Sequence, residues 1–209
     1  MFKYKYITRE IQFITPVFLS LFLFLVINIL GLVDMTKLSY WSSKMYQEPF
    51  RIIFYSFIHI DFNHLLSNIF GISILRLCFI KLNCKNNNLV TLLIILLIPL
   101  QTVYLFLIDN YLFYEYNHLL VGLSGIIYGA YSFFVLSAFF GKEFLFNIYI
   151  GIKRNLYVYK LLCTVLSFGM VYSLLPGISF NGHLGGIISG AFIFYLSDIN
   201  LLNWFKQKF

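Results

Sequence analysis

The stretch VGLSGIIYGA, residues 121–130, sets one hydroxyl, Ser124, between Gly122 and Gly125 at the head of an apolar run. A lone serine in an apolar helix most often bonds back to the carbonyl one turn earlier or fills a packing gap. What Ser124 does therefore depends on what the rest of the chain sets beside it.

The surrounding composition fixes the solvent. Of 209 residues, 60% are hydrophobic and 11% charged, against roughly 45–50% and 25% in soluble domains. A helix needs about 20 apolar residues to cross a bilayer. The apolar runs are Ile11–Val33, Phe62–Leu82, Leu89–Ile108, Leu119–Phe140, Asn155–Leu175 and Gly182–Trp204. No small-residue cleavage site follows the first run, so it reads as a retained span. The expectation is an all-α, polytopic membrane protein: one domain over residues 1–209, a bundle of six transmembrane helices with no soluble domain attached. Pro49–Ile60 is too short to cross and reads as an outer interfacial segment, with Arg51 at the headgroups. Phe144–Ile152 reads as a similar short segment on the inner side.

The net charge of +7 follows topology. Lys3, Lys5 and Arg9 precede the first run, which puts the N-terminus inside by the positive-inside rule. The inner side then also holds Lys81, Lys85, Lys142, Lys153, Arg154, Lys160, Lys206 and Lys208. Both termini are expected in the cytoplasm, and the basic surplus is not a nucleic-acid footprint. Cys78, Cys84 and Cys163 map to the reducing side, so no disulfide is expected.

With that topology, runs two, four and six cross in the same direction. His64 and Asn68, Ser124, and His183 then lie near the outer starts of three different helices. Polar side chains in a span are costly and usually face a cavity or each other. Gly125-x-x-x-Gly129 and Gly186-x-x-x-Gly190 supply grooves through which two helix backbones approach closely. If those grooves meet, Ser124 and His183 fall within reach.

An imidazole beside a serine hydroxyl removes its proton as it attacks a carbonyl. No carboxylate is placed to orient His183, so the pattern is a dyad, with Tyr128 stacking on the ring; turnover is expected to be slow. The Ser124 amide and the side chains of His64 and Asn68 are the candidate oxyanion donors. A metalloprotease reading lacks H-E-x-x-H, and no metal ligand set is expected. An aspartyl reading fails because Asp109 and Asp198 map to opposite membrane surfaces. A transporter reading lacks an inverted repeat with broken helices.

Jointly, GLSG with Tyr128, HLLSN with His64 and Asn68, and HLGGIISG with His183, Gly186 and Gly190 resemble the rhomboid intramembrane serine proteases. His59, five residues before His64, matches the doubled histidine of that family. The resemblance implies a Ser124–His183 dyad and ring support from Tyr128 and His59. It also implies an oxyanion hole of His64, Asn68 and the Ser124 amide, and helix packing through Gly125, Gly129, Gly186 and Gly190. Phe50–Arg51 stands where the family usually has Trp-Arg, and Gly182 where it commonly has Ala. The implied substrates are transmembrane segments of other proteins in the bilayer, cut near the outer face of what is expected to be a bacterial cytoplasmic (inner) membrane. No cofactor and no nucleic-acid partner is implied. A rhomboid-like membrane-protein binding or chaperone module without activity is the competing reading.

Overall fold

In lipid every backbone polar group must be satisfied within the structure, which drives long apolar runs into helices. The computed structural model describes residues 2–45, 47–115 and 117–197, with 2–8 as backbone. The helices are α1 (Phe2–Phe24, continued by a π turn Leu25–Ile29), α2 (Met35–Leu38), α3 (Arg51–Phe54), α4 (Phe62–Lys81) and α5 (Leu89–Leu107, continued by a π turn Ile108–Leu112). They are followed by α6 (Ser124–Phe140), α7 (Leu156–Tyr172) and α8 (Phe180–Leu196). Two small antiparallel ladders join β1 (Tyr40–Trp41) to β2 (Leu119–Leu120) and β3 (Lys142–Leu145) to β4 (Ile148–Ile152).

Among the described residues, Arg9–Ile29, Phe62–Lys81 and Leu89–Leu112 are long and apolar enough to cross a membrane. The other three principal helices have 17 residues each, roughly 25 Å at 1.5 Å per residue, less than the ~30 Å hydrocarbon core. This shortens the expected spans. The fourth run becomes helical only at Ser124, because Leu119–Leu120 pair with Trp41 and Tyr40 and Gly122 takes φ +118. The sixth begins earlier, at Phe180; its expected continuation to Trp204, with Asp198, Lys206 and Lys208, lies outside the described residues, as do the side chains of Lys3 and Lys5.

Two further expectations change. Phe144–Ile152 belongs to a β-hairpin whose turn residues Phe146 and Asn147 have φ +47 and +68, the left-handed pair of a two-residue hairpin loop. Arg51 is buried, not at the headgroups. Its Nη1 donates to the carbonyls of Thr36 at 2.6 Å and Ser39 at 2.8 Å, and it pairs with Glu48. A buried guanidinium has no water to solvate it, so it collects the first loop's carbonyls around itself.

At the centre, α6 packs against α4, α5, α7 and α8. Phe133, Phe134, Leu65, Leu93 and Leu97 are fully enclosed. The α6–α8 seam is made of glycine. A Cβ on Gly125 would lie 2.9 Å from the Gly182 carbonyl oxygen, and one on Gly129 would lie 2.9 Å from that of Gly186. A Cβ on Gly186 or Gly190 would strike the Gly125 or Gly129 carbonyl. Because the obstacle is backbone, substitution at Gly186 must push the helices apart. Gly186→Ala is expected to lower stability by about 1–3 kcal/mol or more in thermal unfolding of the purified protein. Gly71→Ala, which meets side chains and no backbone, Ile127 at 3.2 Å and Tyr131 Oη at 3.6 Å, should cost less than Gly186→Ala.

Candidate active site

The glycine seam brings the head of α6 against the head of α8. Ser124 is the first residue of α6, and His183 lies in the first turn of α8, whose start is capped by Ser179 accepting from the Gly182 amide at 3.0 Å. Across the seam, Ser124 Oγ and His183 Nε2 are 2.8 Å apart. Tyr128, one turn below Ser124, lies flat on the imidazole with ring centroids 4.1 Å apart and planes 3° from parallel. His183 is buried and Ser124 half-buried.

The expectation that ring packing alone holds the imidazole needs correcting. Ser173, just past α7, places its Oγ 2.5 Å from His183 Nδ1 and donates its own proton to the Gly169 carbonyl at 2.7 Å. A serine has one proton to give. With that proton committed to Gly169, Ser173 accepts from His183 Nδ1–H, and Nε2 is left with its lone pair toward Ser124. The hydrogen-bond chain thus fixes the tautomer that can accept the Ser124 proton. Sequence reasoning missed Ser173 because nothing in the chain singles out a serine at the end of an apolar run. Gly169 makes room for the arrangement, since a Cβ there would collide with the Tyr128 hydroxyl.

His64 and Asn68, one turn apart on α4, both approach Gly122. A Cβ on Gly122 would lie 2.6 Å from the His64 ring and 3.8 Å from Asn68 Nδ2. Asn68 Nδ2 also donates to the His64 carbonyl at 3.0 Å, which leaves its second amide hydrogen uncommitted. His59 supports His64, not His183: the two rings meet edge to face at 4.9 Å. Burial, then the neighbouring His64, holds the His59 pKa down to about 4, so this imidazole is neutral. The first loop reaches the same place through β1–β2 and through Gly122 N–H donating to the Tyr55 carbonyl at 2.9 Å. Gln101 was also missed. It is buried on α5 against Gly125 and Gly182, with its Oε1 lacking a partner among the described residues.

The fold and the site define a class: a polytopic helical membrane protein with a serine hydroxyl and an imidazole joined across two glycine-packed helices. The sequence profile of the Rhomboid domain matches residues 46–197, well over half of the chain. The protein belongs to the rhomboid family, in general one of intramembrane serine proteases but with inactive members, and it is an integral membrane protein. No curated protein matches it significantly.

The pressure of His64 on Gly122 is testable. Gly122→Ala combines a strained φ of +118 with a clash against the ring, and should cost about 1–3 kcal/mol in thermal unfolding. In a double-mutant cycle, His64→Ala should recover the clash part of that loss but not the strain.

Proposed function

We propose that this protein is an active intramembrane serine endopeptidase that cuts transmembrane segments near the outer membrane face. The observation that carries the reading is the 2.8 Å contact between Ser124 Oγ and His183 Nε2, with Nδ1 occupied by Ser173. In this mechanism Ser124 Oγ attacks the scissile carbonyl carbon while its proton passes to Nε2. The tetrahedral oxyanion is received by the Ser124 amide, which belongs to an unpaired helix start, and by donors from Asn68 and His64. Collapse breaks the C–N bond, and Nε2 returns the proton to the departing amine. A water molecule, deprotonated by the same nitrogen, then releases the acyl group and restores Ser124.

The short α6 and α8 favour this chemistry by setting their first turns below the membrane surface, where backbone that lines a wet hollow is tolerated. Substrates in this reading are transmembrane segments of other proteins. Both termini face the cytoplasm, and the membrane is a bacterial inner membrane.

The test is cleavage of a single-span substrate in liposomes by wild type, Ser124→Ala and His183→Ala, with fluorophosphonate labelling of Ser124. Wild type should cut and label, and neither variant should cut. Equal cleavage by all three ends the reading, as does a wild type that neither cuts nor labels. Ser173→Ala should lower kcat roughly tenfold to a hundredfold with KM little changed. That is less than the roughly 10⁴-fold that an orienting carboxylate is worth in a soluble triad, because a neutral acceptor orients the ring without stabilising its charge.

A further inference from the structure

The outer end of α5 carries a second cluster that the serine–histidine pair does not use. Past Leu107 the helix widens into the π turn Ile108–Leu112, and Asp109 is fully buried there. The following loop folds back on it, with the Glu115 amide donating to the Asp109 carbonyl at 2.7 Å and the His118 amide to that of Glu115 at 3.2 Å. His118 Nδ1 thereby lies 3.0 Å from Asp109 Oδ2 and 3.7 Å from Glu115 Oε2. Asn181 Nδ2 donates to Asp109 Oδ1 at 2.8 Å and to Glu115 Oε2 at 3.1 Å.

Two carboxylates thus converge on one imidazole and one neutral amide. A separate observation points to a missing participant. Tyr40 is fully enclosed and its hydroxyl has no hydrogen-bond partner among the described residues. Yet the ring packs edge-on against His118 at 6.4 Å. A buried hydroxyl left without a partner is costly unless something else occupies the space.

A tetrahedral ion with bonds of about 2.0–2.1 Å holds its ligands roughly 3.3–3.4 Å apart, and the two histidine–carboxylate separations, 3.0 and 3.7 Å, bracket that value. All three ligand atoms lie within 4.8 Å of one another. Mixed nitrogen and carboxylate donors suit a borderline cation better than calcium or magnesium, which prefer oxygen shells. Side-chain exposure rises from 0% at Asp109 through 20% at His118 to 51% at Glu115, which leaves a route from water.

We propose that Asp109, Glu115 and His118 form a binding site for a divalent cation of the zinc class, with Asn181 holding the carboxylates and Tyr40 facing the ion. The expectation of no metal rested on the lack of a compact ligand motif. Here the π turn and the loop, not a short spacing, assemble the ligands. A bound ion would fasten the loop ahead of Ser124 to Asn181, two residues before His183, and so brace both helix heads.

Chelator-stripped full-length protein in detergent, titrated with zinc chloride, should bind about one zinc per chain by mass spectrometry, saturate below roughly 100 µM and unfold at a higher temperature. Glu115→Gln and His118→Gln should each weaken binding by at least about tenfold, while Ser124→Ala should bind like wild type, which separates this inference from the protease reading. Cobalt loaded into wild type should give the visible absorption of a four-coordinate nitrogen–oxygen shell and lose it to zinc, so the site is tested even if a variant fails to fold. No saturable binding, binding unchanged in both glutamine variants, or no zinc-sensitive cobalt spectrum overturns the proposal.

Discussion

The contact on which the site depends is glycine against carbonyl between α6 and α8. Four glycines, Gly125 and Gly129 facing Gly186 and Gly190, leave no room for a Cβ along the seam. Side chains at a normal interface hold helix axes 8–10 Å apart; removing them lets the backbones close in. Only then do a serine and a histidine carried by two separate rods meet at 2.8 Å. The same contact costs no buried polar group, since each helix satisfies its own backbone. Association in lipid, where apolar side chains gain little by leaving the tails, rests on such close van der Waals fit.

Around that seam, the remaining elements supply what two bare helices lack. Tyr128 limits the tilt of the imidazole, from a position that Gly169 keeps open, and Ser173 limits its tautomer. The first loop is itself held by a buried guanidinium and reaches Gly122 through a backbone hydrogen bond and a two-residue ladder. Gly122 in turn lets the edge of the His64 ring, Cε1 and Nε2, approach the chain just before Ser124. Loop, α4 and the head of α6 are therefore mechanically linked: moving any of them moves His64 and Asn68 relative to Ser124.

Much of this was legible in the residues. Apolar run length gives the helices, and the depth of His64, Asn68, Ser124 and His183 gives the grouping, because a polar group in lipid must find company. The GxxxG spacings give the seam. What the sequence hides has physical reasons. The start of α6 depends on a ladder between Tyr40–Trp41 and Leu119–Leu120, residues far apart in the chain. The β3–β4 hairpin turns on Phe146 and Asn147, which lack the Asn-Gly signal of such turns. Arg51 looks interfacial from its aromatic neighbours but is drawn inward by loop carbonyls that no periodicity reveals. Ser173 is one of many serines, and only its distance to Nδ1 marks it.

Ser173 also shows how unevenly the site is supported. α6 and α8 are locked backbone to backbone, whereas the buried residues of α7 are Val158 and Leu162, both in its first half. The far half of α7 meets the site through Gly169 against Tyr128 and, just beyond the helix, through Ser173 against His183. Beyond it the chain is exposed at Leu174 and Leu175 and turns at Gly177 with φ +84. The Ser124–His183 pair thus sits on the glycine-packed seam, while Ser173, which meets Nδ1, lies at the end of a helix with only two buried residues. Shifting the end of α7 would leave Ser124 and His183 in place and release Nδ1, so the orientation of the imidazole is tied to the docking of α7 and not only to the two helices that carry the pair.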